Sequence, residues 1–452
     1  MNTSAEKSVL KIFEKCAGKS GCEVCRPHMA DDCLFFPELF RLQDQTEDSG
    51  LPLSTSSLCQ LLDLCTMCGL CPCQDIKMLI LQAKAAFVNE KGISFSGKIT
   101  SGVEMAGRWG SKFATVVNTL SRQTTVSALV KKTIKIHPER DLPIFPRENF
   151  FLWVEKKGLT SRKCNTNTGA LKVAYFTGCS AGYLFPEVGK AAVNILKQNN
   201  IEVFIPPQEC CAMPLIMEGA RKAALKKIHF NIESLLLAVE NGYDIVFSCP
   251  TCGYFFKKML LENAYYSDAY QAISGAGPDV MKVPNGSKKN RFCLLPKNIY
   301  QKILIDDGYF SSLDPVKRIE LSHKVKDMGQ FLLSIQAKGK LEINPKFPDT
   351  PMVYYAPCHQ REQDIDQPYY KLLTSFDGSD VIKIGGAMDC CGMGGHLGCK
   401  TSFHSKSLQI GQPLFKKLLA VKNKILVTDC LSCRVQFQHA LSMYVFHPLE
   451  LL

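Results

Sequence analysis

Twenty-two cysteines are spread unevenly along this 452-residue chain. Nine lie within residues 16–73, and ten more form two spaced series further on. Cys164, Cys293 and Cys399 stand apart and read as buried hydrophobic thiols. The first residues, MNTSAEK, hold no apolar export signal. The expectation is therefore a reducing cytosol, where clustered thiols serve metals or redox centres rather than disulfides. No apolar stretch approaches the ~18–20 residues of a membrane-spanning helix.

The first series is Cys179, Cys210-Cys211, Cys249 and Cys252; the second is Cys358, Cys390-Cys391, Cys430 and Cys433. Corresponding members lie 179, 180, 180, 181 and 181 residues apart, which points to a duplicated module. Elements of matching type must position them. In the first copy, residues 171–176 (LKVAYF), 201–205 (IEVFI) and 244–248 (DIVFS) read as buried strands. Residues 186–199 and 218–239 read as the helices between them. In the second copy, residues 351–355, 381–384 and 425–428 repeat the strands. Strands alternating with helices predict α/β domains with parallel sheets. Each cysteine group then falls just past the carboxyl end of a strand, where open α/β sheets bind ligands. Five thiolates exceed the four of a tetrahedral zinc site, and soft sulfur in that number favours an iron–sulfur cluster.

With these spacings, and with Tyr175-Phe-Thr-Gly-Cys179, Tyr354-Tyr-Ala-Pro-Cys358-His359 and Cys390-Cys-Gly-Met-Gly-Gly395, the chain resembles the cysteine-rich CCG domain. That domain occurs twice in the cysteine-rich subunit of heterodisulfide reductase. It also occurs twice in the iron–sulfur subunits of glycolate oxidase and anaerobic glycerol-3-phosphate dehydrogenase. The resemblance implies one noncubane [4Fe-4S] cluster per copy, held by Cys179, Cys210, Cys211, Cys249 and Cys252 and by Cys358, Cys390, Cys391, Cys430 and Cys433. One departure is Ala212, where the second copy has Gly392. Glycine permits positive φ, so the first cluster is the less secure of the two, with zinc or a simpler cluster as its alternative.

In the N-terminal block, Cys65-x2-Cys68-x2-Cys71-Pro72-Cys73 is a compressed form of the ferredoxin run. Cys22, Cys25 and Cys33 form a looser group. These seven are one short of the eight that two cubanes need, with Cys16 or Cys59 to supply the last. The region resembles the α-helical ferredoxin domain fused to CCG domains, which implies one or two cubane [4Fe-4S] clusters. Asp75 is placed to cap the next helix, whose apolar face is Ile76, Leu79, Ile80, Ala83 and Phe87.

The expected organisation is a ferredoxin-like helical domain (1–100), a basic amphipathic connector (101–170), a first CCG domain (171–261), a second connector (262–350) and a second CCG domain (351–452). Residues 275–290 (GAGPDVMKVPNGSKKN) read as an exposed loop. The formal charge of +12 is concentrated in the first connector, and metal-bound thiolates would offset it, so no nucleic-acid partner is expected. There, Phe113, Val116, Val117 and Leu120 share a helical face that Val126, Leu129, Val130 and Ile134 continue, beside Lys131, Lys132 and Lys135. Such a stripe packs on the protein itself or rests on an anionic membrane, here the inner face of the cytoplasmic membrane. The glycines of residues 386–398 miss the dinucleotide spacing. His359, His396 and His447 read as structural.

The leading expectation is an iron–sulfur subunit relaying electrons from a flavoprotein dehydrogenase to a quinone or disulfide acceptor. One alternative is a heterodisulfide reductase-like enzyme acting at its own noncubane clusters. Another is a zinc-binding scaffold.

Overall fold

Short β-branched and aromatic runs between amphipathic helices fold here into two parallel sheets. A computed structural model describes residues 3–17, 21–31, 33–69, 71, 73–160, 171–286, 291–421 and 425–452. Cys164 lies outside them. In the first copy the strands are β1 (Lys172–Phe176), β2 (Glu202–Phe204) and β3 (Asp244–Phe247). A hairpin follows, made of β4 (Val280–Pro284) and β5 (Phe292–Pro296) paired antiparallel. Then come β6 (Val325–Asp327), β7 (Met352–Tyr354), β8 (Val381–Lys383), β9 (Ile425–Val427) and β10 (Tyr444–Phe446).

The first sheet runs β2-β1-β3-β6 and the second β8-β7-β9-β10, all parallel. The duplication therefore includes a fourth strand that cysteine spacing alone did not reveal. In the second copy β10 closely follows the last cysteine helix, Leu431–Ala440. In the first, β6 comes only after an insertion that carries the hairpin. Strand β4 corrects the loop expected over 275–290: Met281 and Val283 turn inward and are buried.

The helix expected over 218–239 begins at Arg221, after a separate short helix, Met213–Met217. Gly219 breaks the two with φ +74°, at a point where a Cβ would meet the carbonyl of Lys84 at 2.5 Å. The N-terminal block is helical: Ser4–Cys16, Phe35–Ser49, Thr55–Asp63 and Gln74–Lys91. Ile76, Ile80, Ala83 and Phe87 are buried as their spacing demands. Asp75 does not cap that helix; Cys73 holds the cap position, and Asp75 pairs with Lys15 at 2.6 Å.

The N-terminal helices share one apolar core with the first copy, through Ile80, Ala212, Met213 and Met217 among others. The second copy and the helix Pro186–Gln198 build the other large core. The connector stripe does not pack inward. It forms two short helices, Ala114–Arg122 and Thr124–Thr133, that leave Phe113, Val116, Leu120, Leu129 and Val130 exposed.

Candidate functional site

Each five-cysteine series is gathered where three strands end. Cys179 follows β1, Cys210 and Cys211 follow β2, and Cys249 and Cys252 flank the start of the helix Pro250–Lys257 after β3. All five are free thiols, buried or half-buried. They form a chain of thiol contacts in the order Cys179, Cys210, Cys211, Cys252, Cys249. The Cys179 and Cys210 sulfurs are 3.4 Å apart. The second copy repeats the order as Cys358, Cys390, Cys391, Cys433, Cys430. There the Cys391 and Cys433 sulfurs are 3.0 Å apart.

Contact with its neighbours distributes protons unevenly within each chain. Donation from Cys210 pulls the Cys211 thiol down to about 6, and donation from Cys358 and Cys391 holds Cys390 well below the usual range. Thiolate is the form that takes metal. The backbone N–H of Gly392 also donates to Cys390 Sγ at 3.3 Å.

The departure at Ala212 does not change the backbone. Ala212 has φ +71°, and Gly392 has φ +78°. What differs is the space available. A Cβ on Gly392 would meet the carbonyl oxygen of Ser407 at 2.0 Å, whereas Ala212 carries its own Cβ fully buried. The turn after each cysteine pair is thus the same, and glycine is needed only where the following helix presses on it.

The N-terminal thiols separate into two sets. Cys33, Cys65, Cys68 and Cys71 line one cavity together with Lys77 and Cys390. Cys16 has the thiols of Cys25, Cys73 and Cys22 as neighbours, and burial raises its own thiol to about 12. Cys59 faces Lys91, Asp63 and Glu6 instead. The structure thus adds Cys16, not Cys59, to the second set. The sets cross over in sequence: Cys33 joins the later run, while Cys73 joins the earlier one. Two-cluster ferredoxins cross over in the same way.

The groups also adjoin one another. Cys68 is an electrostatic neighbour of Cys358, and Cys430 of Cys249. His359 lies where three of them meet. Its Nε2 is 2.7 Å from the carbonyl of Met67, between Cys65 and Cys68. Its Nδ1 is 3.0 Å from the hydroxyl of Thr251, between Cys249 and Cys252. Burial lowers its pKa to about 4, so it is neutral at pH 7, and it stacks on Tyr254. A neutral ring has one N–H; Nε2–H donates to the carbonyl and Nδ1 accepts from Thr251. From the sequence His359 reads as structural, and its position next to Cys358 is the one local sign of its place between the thiol groups. His396 and His447 are likewise buried, and burial lowers both.

The cysteine-rich CCG domain matches the chain over residues 173–257 and again over 352–438. The chain thus carries two copies of the CCG domain. Over 382 residues it is 24% identical to a subunit of the anaerobic glycerol-3-phosphate dehydrogenase of Escherichia coli, spanning 84% of this chain and 82% of that protein. It is 23% identical over 242 residues to lactate utilization protein A 2 of Bacillus cereus, covering 53% of this chain and 78% of that one. An uncharacterised iron–sulfur protein of Methanococcus maripaludis matches over 279 residues at 24% identity, 61% of this chain and 42% of that protein. The five-thiol sets of the two CCG copies fit iron–sulfur clusters: soft sulfurs, free and buried or half-buried, with a backbone N–H donated to Cys390 in the second. Among the described residues, no helix is long and apolar enough to cross a membrane.

Proposed function

We propose that this chain is the iron–sulfur electron-transfer subunit of an oxidoreductase, carrying electrons from a flavoprotein dehydrogenase partner to a quinone or disulfide acceptor. One observation carries the reading: the thiol groups adjoin in sequence of space, from Cys68 to Cys358 and from Cys430 to Cys249. That arrangement suits stepwise carriage of single electrons, the chemistry iron–sulfur clusters supply when bound. The similarity to a subunit of a named dehydrogenase supports the partner class.

In this reading residues 1–100 form the ferredoxin-like module. Cys33, Cys65, Cys68 and Cys71 hold one cubane, and Cys16, Cys22, Cys25 and Cys73 the other. Each CCG copy holds one noncubane cluster on its five thiols. The exposed Trp109, Phe113, Val116, Leu129 and Val130, beside Lys112, Lys131 and Lys132, rest on an anionic membrane surface and bring the chain to a quinone.

Anaerobic purification followed by iron and sulfide analysis tests the core of the proposal. The chain should be coloured, with visible absorption bleached by dithionite. A preparation with fewer than about four irons per chain, one cubane's worth, would sink it. Cosedimentation with phosphatidylglycerol vesicles tests the membrane face. Binding should fall with salt and be lost in K131E/K132E.

A second reading has its own support, because Cys249 and Cys430 are electrostatic neighbours across the two five-thiol groups, as a disulfide substrate shared between them would require. Reduced protein that is reoxidised by a disulfide with no partner present, while a quinone analogue has no effect, selects it.

A further inference from the structure

The duplicated thiol groups sit in unequal electrostatic surroundings. In the first copy a carboxylate touches the group directly: Glu104 Oε1 accepts the backbone N–H of Cys210 at 2.5 Å. Glu104 is also paired with Lys227, which holds Glu209 at 2.9 Å, and Arg108 lies near both carboxylates. The charges around this group therefore balance, with the negative one innermost.

In the second copy two arginines replace that carboxylate. Arg140 is fully buried and has Cys399 and Cys391 as neighbours. Its hydrogen bonds go to Gln436 Oε1 at 2.6 Å, Met393 Sδ at 3.0 Å and the Cys399 sulfur, with no carboxylate among them, and its Nε has no partner. Arg361 lies near Cys358 and Cys390 and donates to the carbonyls of Ala356 at 2.9 Å and Asp389 at 2.5 Å. The Asp389 carboxylate is engaged by Lys417 at 2.8 Å. A buried guanidinium with no carboxylate in contact has its charge only weakly balanced, for Arg140 by the more distant Asp141. Thiolate-bound iron would complete the balance.

The duplication makes the contrast sharper. Arg361 stands three residues after Cys358; three residues after Cys179 stands Gly182. A Cβ there would meet the ring of Phe151 at 2.4 Å, so the first copy has no room for an arginine.

We propose that Arg140 and Arg361 in the second copy, against Glu104 in the first, set the two sites at different reduction potentials. A cluster on Cys358, Cys390, Cys391, Cys430 and Cys433 is then reduced before one on Cys179, Cys210, Cys211, Cys249 and Cys252. This rests on the iron–sulfur reading above. Positive charge stabilises the more negative, reduced state and raises the potential; negative charge lowers it. The second site is also the one that adjoins the N-terminal cavity, through Cys390. A cluster there would be the first of the two to receive an electron from that side.

The test is an EPR-monitored redox titration of the whole, cluster-loaded chain. Two midpoint potentials beyond those of the N-terminal clusters should resolve. The lower is assigned by its loss in C179S, and the higher by its loss in C358S. R361Q and R140Q should each lower the higher one by about tenfold in the reduction equilibrium, about 59 mV for a one-electron couple, and leave the lower unchanged. E104Q should raise the lower one alone. If R140Q fails to fold, R361Q and E104Q decide the matter. Coincident potentials with full iron content, or an arginine variant that shifts both sites equally, overturn this inference and leave the electron-transfer reading standing. A chain without iron defeats both.

Discussion

Ala212 and Gly392 occupy the same place in the two copies and the same left-handed backbone, yet only one of the two exchanges should be tolerated. Ala212→Gly relieves an αL alanine costing ~1–2 kcal/mol and adds chain entropy of about 0.4–1 kcal/mol. Its stability should change by less than about 1 kcal/mol, with iron content intact. Gly392→Ala drives a Cβ into the Ser407 carbonyl, and overpacking of this kind costs about 1–3 kcal/mol in addition to the αL strain. Denaturant unfolding with iron analysis should show lowered stability and loss of the second-copy cluster alone. Cysteines can be sorted the same way. Cys211→Ala should lose iron, whereas Cys59→Ala and Cys293→Ala should keep it, because Cys59 and Cys293 lie apart from the thiol groups.

The fourth strand decides what each copy is as an element. β6 pairs with β3 although an insertion separates them in sequence, so something must hold the insertion against the sheet. Arg318 does so. It is fully buried, pairs with Asp306 at 2.9 Å, donates to the Leu260 carbonyl at 2.9 Å and reaches the Glu262 carbonyl. Arg318→Met should cost about 3–5 kcal/mol, because Asp306 would be left charged and buried. Thermal unfolding followed by circular dichroism checks it. An unchanged transition would show that the insertion is held by packing alone.

At the scale of the molecule, contacts between copies keep the thiol groups together. Glu218, just after the helix Met213–Met217, reaches His396 Nε2 and Lys400 of the second copy, each at 2.5 Å. Burial lowers His396, so it is neutral at pH 7 and donates a hydrogen bond, while Lys400 carries the charge. Despite burial, these partners hold the Glu218 carboxyl down to about 2. A depressed carboxyl stabilises the fold above its unfolded pKa near ~4.3, and that stability is lost as pH falls towards 2. The contribution is on the order of 3 kcal/mol. Glu218→Gln should therefore be less stable than the parent at pH 7, and the gap should close as pH falls from about 4.3 towards 2. A gap independent of pH would refute the link. His359 works at the same scale, since one neutral ring ties the Met67 carbonyl to Thr251. His359→Ala should slow electron transfer between the N-terminal and CCG sites in rapid-mixing experiments while iron content stays near normal.

The two cysteine series, their equal spacing, and the strand–helix alternation around them were all legible in the sequence. Covalent spacing and hydrophobic periodicity are local properties that a single chain displays directly. Strands β1, β3, β7 and β9 lie close to where their buried runs place them for the same reason. Tertiary structure decided what depends on distant partners. It put Cys16 with Cys22, Cys25 and Cys73, recruited β6 across an insertion, and set Glu104 against one thiol group but Arg140 against the other. No local pattern encodes such meetings, because charge and ligand geometry depend on separation in space, and only the packed cores bring together residues tens to hundreds of positions apart.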